Sequence, residues 1–228
     1  MTRKPLLILP FYFLITGFSL TPMSHVIELD AKQKQAQFLL DNPTDEPMAV
    51  EISLRERIQK EDGTEETPVA KNLAAFPPQL IIPPEEKRTV RVQWLGETPK
   101  SELAFRVVAE QLPLQVDGKK KKGSGIKMLL RYIAALYVNP GDTESNVQIK
   151  EIIPGDPLQV VVENKGSKHQ LLSNAVLNLT LGKDKLQLKG DALKGLAGEN
   201  VLAGSRRIFK IPANAKVTKD AKGTIKFD

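Results

Sequence analysis

Residues 125–140 read GIKMLLRYIAALYVNP, directly behind the basic loop Asp117-Gly118-Lys119-Lys120-Lys121-Lys122-Gly123. This stretch is far more apolar than a strand with one solvated face requires. Ile126, Met128 and Leu130 alternate on one side, while Lys127, Leu129 and Arg131 take the other. A strand with large apolar residues beside a charged loop fits an edge kept ready to pair with another chain. Periodicity alone favours a central core strand buried on both faces. The rest of the chain shifts that balance.

Upstream, short alternating segments and turn signals recur at the spacing expected of β-sandwiches. Segments 25–29 and 35–40 precede the turn Asp41-Asn42-Pro43-Thr44-Asp45-Glu46-Pro47. Residues 48–58 (MAVEISLRERI) place Val50, Ile52 and Leu54 on one face. Lys60-Glu61-Asp62-Gly63-Thr64 is a hairpin turn, because Asp-Gly accommodates positive φ. Residues 76–84 (FPPQLIIPP) are extended and bracketed by proline, which suits an edge or a crossover. Residues 89–95 point Val90, Val92 and Trp94 inward, and 103–114 (LAFRVVAEQLPL) lead into the lysine loop. Beyond Asn139-Pro140-Gly141-Asp142 come segments 146–153, 158–163, 171–181, 186–189, 205–211 and 224–227. No segment carries a long amphipathic helical pattern; residues 191–198 allow one turn or two. The chain is therefore expected to be all-β, with a longer first domain and a smaller second one.

The start of the chain reads as an export signal. Arg3 and Lys4 precede the uncharged run 6–20 (LLILPFYFLITGFSL). That run is short for a membrane span, which needs about 20 apolar residues. Small residues at Gly17 and Ser19 suit cleavage after Ser19, or a few residues to either side; an uncleaved anchor is the rival reading. After it, no stretch is apolar and long enough to insert in a membrane. Removing Arg3 and Lys4 from 33 basic residues leaves 31 against 27 acidic ones, a net charge of about +4. Much of that excess is the lysine loop, and no basic face interleaved with aromatics accompanies it, so no nucleic-acid partner is expected.

Cysteine is absent, so core burial alone must hold an exported chain of this length together. With His25 and His169 as the only histidines, metal centres and Ser-His-Asp catalysis have little material. Both are expected to be solvated. Glu61, Asp62, Glu65 and Glu66 fall in turns, and Glu51 and Glu110 point outward from strands. No paired carboxylates emerge, so neither an enzyme nor a cofactor is expected.

The ordered segments resemble the periplasmic chaperones of the chaperone–usher pilus pathway, over nearly all of the exported chain. Asn42-Pro43-Thr44-Asp45-Glu46-Pro47 is similar to that family's N-x-x-D-x-P turn. Residues 76–84 followed by Thr89-Val90-Arg91-Val92 resemble its PP-x-x-x-x-x-P…V-R segment. Leu103-Ala104-Phe105-Arg106 through Gln111-Leu112-Pro113 resembles its F/Y-R…E-x-P strand, and Tyr137-Val138-Asn139-Pro140 its exit into the second domain. Val161-Val162-Glu163-Asn164 and Val201-Leu202-Ala203-Gly204-Ser205 match the second-domain motifs loosely. Leu130-Arg131-Tyr132 places the wording nearer the archaic or alternative branch.

The resemblance implies two immunoglobulin-like β-sandwich domains set at an angle: a signal peptide at 1–19, a chaperone domain at 20–140 and a smaller sandwich at 141–228. It implies periplasmic capture of pilus or fimbrial subunits by donor-strand complementation, then delivery to an outer-membrane usher. Pilus subunits resemble sandwiches lacking their last strand, and the chaperone's strand fills the open groove. Alignment back from Pro140 puts Ile126, Met128 and Leu130 on the three donor positions. Each such side chain, once buried, is worth about 1.5–3 kcal/mol before ordering costs. The sequence departs from the family at the clamp for the subunit's C-terminal carboxylate. Ala135 stands in the clamp lysine's place, and Ser24-His25-Val26 carries no arginine. Arg106 and Arg131 are the candidate carboxylate anchors, because guanidinium grips a carboxylate bidentately. Either is equally readable as an ordinary structural ion-pair partner. An exported two-domain sandwich adhesin or structural pilus component is the alternative; a secreted glycan-active enzyme lacks the carboxylate pair and aromatic platform it would need.

Overall fold

The computed structural model describes residues 17–32, 34–114, 128–181, 184–193, 195–196, 198–211 and 221–227. Ile126, the lysine loop and residues 1–16 of the signal segment lie outside the described residues.

The first half contains β1 (Ser19–Thr21), β2 (Ser24–Glu28), β3 (Gln35–Asp41), β4 (Met48–Glu56), β5 (Ile58–Gln59) and β6 (Glu65–Glu66). β7 (Leu73–Phe76), β8 (Gln79–Ile82), β9 (Lys87–Trp94), β10 (Leu103–Leu112) and β11 (Arg131–Asn139) complete it. They build two sheets, ordered β1-β3-β9-β7 and β2-β11-β10-β4-β8, with β5 and β6 as a separate hairpin arm. The expected alternation is what fills the space between the sheets. Val50, Ile52 and Leu54 of β4 share one core with Val90, Val92 and Trp94 of β9. The Trp94 ring lies 5.8 Å from that of Phe105. The proline-bracketed segment crosses between sheets as expected: β7 pairs with β9, while β8 forms the edge beside β4. Prolines at the crossing lack the N–H that either ladder would otherwise require.

Two buried asparagines explain turn motifs visible in the sequence. Asn42 donates to the carbonyls of Glu46, Ile82 and Pro83 and accepts from Thr44. Asn164 does the same in the second half, bonding Lys168 and Val201 carbonyls and the N–H groups of Asn146 and Gly166. One side-chain amide thereby satisfies several buried backbone groups that would each be costly unpaired.

The second half contains β12 (Val147–Ile153), β13 (Leu158–Asn164), β14 (Gln170–Leu171), β15 (Ala175–Leu181) and β16 (Asp184–Leu188). A short 3₁₀ turn at Gly190–Leu193, β17 (Asn200–Val201), β18 (Arg206–Ile211) and β19 (Lys222–Phe227) follow. Sheets β12-β13-β18 and β16-β15-β19 enclose a separate core that includes Leu158, Val160, Leu177, Leu179 and Phe209. The chain is thus two immunoglobulin-like β-sandwiches. The single strand expected at 171–181 is broken into β14 and β15 by a turn at Ser173 and Asn174, residue types that favour turns.

The start of the described chain bears on where the signal run ends. Phe18, counted above as part of the signal run, is 2% exposed and its ring lies 5.0 Å from Tyr132 in an edge-on contact. A signal's apolar run and a core strand's first residues look alike in sequence; only the partner across the core distinguishes them.

Candidate functional site

The edge of β11 is the place where this fold leaves a strand unpaired. β10 covers one side of it along its length, from Arg131 opposite Glu110 to Val138 opposite Leu103. On the other side β2 runs parallel to it, but only from Ala135 to Asn139. Among the described residues, no strand pairs with that side of Arg131–Ala134. Main-chain groups of odd-numbered residues face β2, as shown by Ala135 N donating to Met23 O and Leu29 N donating to Asn139 O, each at 2.9 Å. The alternation continues backward, so the N–H and C=O of Arg131 and Ile133 face the open side.

The side chains divide between two faces. Tyr132, Ala134, Leu136 and Val138 point into the chain's own core, and Leu130 packs against its margin. Met128 stands 72% exposed, with Leu129 and Ile133 also exposed. Of the three expected donor positions, Ile126 lies outside the described residues, Met128 is exposed and Leu130 already has contacts at home. Alternation already set Leu129 opposite the donor row; Ile133, exposed on the same outer face, was not singled out in the sequence.

Beside the edge, the outer face carries a basic cup of about 280 Å³. Cross-strand register puts Arg55, Arg106, Ala135 and Ser24 in one row across four strands. Arg106 and Arg131, the two candidate anchors, both line the cup, together with Val108 and Ile133. Arg55 also lines it and has no ion-pair partner among the described residues. Among the described residues, Arg131 has one ion-pair partner, the exposed Glu110 at 3.6 Å. Arg106 is engaged: its Nε and Nη2 donate to both oxygens of Glu65, at 2.9 and 2.7 Å.

Glu65 corrects a sequence expectation, since it is no mere turn residue. The β5–β6 arm folds it back over the sheet, where Arg57 Nε also donates to it at 2.6 Å. Partial burial opposes ionisation, but the hydrogen bonds and charges of Arg106 and Arg57 prevail and lower its pKa. The folded state therefore gains stability from this clamp above the ordinary glutamate range. That gain is lost as pH falls through the depressed folded value.

Arg57 continues the network into the second sandwich. Its Nη1 donates to Tyr137 Oη at 3.2 Å and its Nη2 to Asn200 Oδ1 at 3.0 Å, while Asn200 Nδ2 donates to Tyr137 Oη at 2.8 Å. Gln59 on the arm accepts from Leu202 N and donates to Asn200 O, and Ile208 N donates to Glu61 O. Burial pushes the Tyr137 hydroxyl's pKa up, so it stays neutral in this setting. Neither histidine is simply solvated, contrary to expectation. His169 stacks on Tyr137 with ring centroids 3.9 Å apart, and its Nδ1 lies 2.6 Å from the buried Glu102 carboxylate. His25 packs edge-on to Phe38 at 6.4 Å. Non-local partners explain both errors, because nothing near either histidine in sequence announces them. Among the described residues, no cluster of His, Asp and Glu is placed to hold a metal ion, and no helix is long and apolar enough to cross a membrane.

The two joined sandwiches thus present an unpaired strand edge with exposed apolar side chains beside a basic cup. The chain belongs to the pili and flagellar-assembly chaperone family: residues 19–144 match the model of its PapD N-terminal domain. Members are non-enzymatic assembly chaperones of the chaperone–usher pathway. No curated protein sequence matches the chain. Among solved structures, it is similar to the class 5 fimbriae chaperone CfaA, with 13% identity, a TM-score of 0.61, and 93% of this chain and 99% of that one covered. It is also similar to a chain of the CsuC–CsuE chaperone–tip adhesion subunit complex from archaic Csu pili of Acinetobacter baumannii. There the identity is 17% and the TM-score 0.62, with 91% of this chain and 92% of that one covered. A third match is to the Salmonella enterica SafA pilin–SafB chaperone complex, at 14% identity and a TM-score of 0.58, covering 89% and 87%.

Proposed function

We propose that this chain is a periplasmic chaperone that captures pilus subunits by donor-strand complementation and delivers them to an outer-membrane usher. The observation that carries the proposal is the open edge of β11, flanked by exposed Met128, Leu129 and Ile133. Ladder bonds to Arg131 and Ile133 supply affinity, and alternating side chains supply register. Complexes of similar chaperone folds, SafB with the SafA pilin and CsuC with the tip adhesion subunit CsuE, support the reading. Ile126 and Met128 lead the donor row, and Leu130 fixes the strand to its own sandwich. Tagging the chain and isolating it from periplasm with its bound proteins tests this; recovery without any pilus subunit argues against it.

The edge also supports a ranking of the two candidate anchors. A strand laid along 128–134 ends against the start of β2, beside Ala135. Neighbouring strands lie about 4.8 Å apart, so the methyl of Ala135 leaves the long side chain of Arg106 a clear reach to that end. Arg131 sits at the far end of the cup. Arg106→Ala is therefore expected to weaken capture of a subunit with a free C-terminus about ten- to hundredfold, and that of an amidated subunit much less. If Arg106→Ala and Arg131→Ala both bind like the parent, register comes from the apolar row alone.

We keep the domain limits read from the sequence, with one change at the start. We place signal cleavage upstream of Phe18, because the core uses that ring. The intact mass of the exported protein is expected to include Phe18; a mature chain beginning at Leu20 refutes this placement. Phe18→Ala should cost about 3 kcal/mol in chemical denaturation, as aromatic truncations in cores do.

A further inference from the structure

Arg106, the favoured anchor, is not vacant in the free chain. Its Nε and Nη2 both donate to Glu65, which also accepts from Arg57 Nε. The arm that presents Glu65 is slight. β5 and β6 have two residues each, closed by a turn in which Gly63 adopts a φ of 90°. The Glu65 side chain keeps 22% of its exposure, and it lines the same cup as Arg55 and Arg131. A carboxylate held there by two guanidiniums presents the chemistry expected of a bound polypeptide terminus.

We propose that Glu65 is a specificity-determining residue, an internal carboxylate that occupies Arg106 until the terminal carboxylate of a paired strand replaces it. The proposal rests on the donor-strand reading for the identity of the incoming group. Its physical basis is competition between tethered and free ligands. Glu65 is covalently attached, so it outcompetes dissolved anions present at low concentration. A terminus delivered by strand pairing is also tethered, at an effective concentration in the millimolar range, and can compete on equal terms. Displaced, Glu65 still has Arg57, so the exchange strands no buried charge. Arg55, without an ion-pair partner among the described residues, lines the same cup and adds positive charge to it. The cup thus refuses loose anions and admits one that arrives on a correctly registered strand.

The test uses the exported chain alone, labelled with ¹⁵N, and acetate as the probe. The Nε–H resonance of Arg106 is followed through an acetate titration in the parent, Glu65→Gln and Glu65→Asp. Glu65→Gln is expected to bind acetate at Arg106 at least ~10-fold more tightly than the parent. Glu65→Asp, which keeps the charge but shortens its reach, should show a smaller gain. Equal titrations in parent and Glu65→Gln, or saturation of the parent's Arg106 by dilute acetate, would overturn the proposal. So would unfolding of both variants, because a carboxylate the fold requires cannot be one that a ligand replaces. No subunit enters the measurement, so a negative result leaves donor-strand capture standing, and loss of capture leaves this result standing.

Discussion

Met128→Asp is expected to abolish subunit capture while leaving the chain as stable as the parent. Met128 is 72% exposed, so the free protein has little to lose at this position. Surface changes of this kind usually stay within about 0.5 kcal/mol. In the proposed complex the same side chain fills a partner's groove. Losing that burial costs about 1.5–3 kcal/mol, and an unpaired buried carboxylate adds more. A fall in affinity of about a hundredfold or greater follows. Leu130→Asp should behave differently: it packs on the chain's own core, so it loses stability as well as binding. Thermal unfolding beside subunit binding separates the two. A Met128→Asp chain that unfolds would make the row ordinary core, and one that binds normally would remove Met128 from the donor strand.

The second large effect is expected at Arg57. Its side chain is 7% exposed and joins the β5–β6 arm, the sheet and the second sandwich through Glu65, Tyr137 and Asn200. Removing one partner of a buried ionic network costs about 3 kcal/mol or more, because the remaining polar groups stay buried without their donor. Arg57→Ala should lose that much stability and uncouple the sandwiches. Urea unfolding, followed at Trp94 for the first sandwich and by far-ultraviolet circular dichroism for the whole chain, should show one coincident transition in the parent and two in the variant. Coincident transitions at the parent's midpoint would mean that the joint draws little from this residue.

The two sites differ in how much of them could be read from the sequence. Period-two alternation announced β4 and β9, and the prolines around 76–84 announced the crossing between sheets. These features are local: each strand's pattern states which face is buried. Asn42 was legible as a turn, although its bonds to Ile82 and Pro83 across the fold were not. Arg106 and Arg131 were legible as candidates because a missing lysine drew attention to other cations near it. Glu65 was not, since its partners lie 8 and 41 residues away and its strand is two residues long. Tyr137 and His169 meet only when two separately folded cores come together. Nothing in either segment encodes that meeting except compatible shape.

The crossover from β1 to β2 has a consequence for what can dock. β1 pairs with β3 in one sheet, and β2 begins in the other only at Ser24, opposite Ala135. That beginning acts as a doorstop. A visiting strand lying along 128–134 has roughly 23 Å of track at a rise of 3.3 Å per residue. A visitor whose tail outruns this track must bend its last residues outward or slide back. Sliding by one residue turns every apolar side chain to the wrong face. On the donor-strand reading, visitors would therefore be sorted by the spacing between their final residue and their first large side chain, a measurement of length rather than of residue identity.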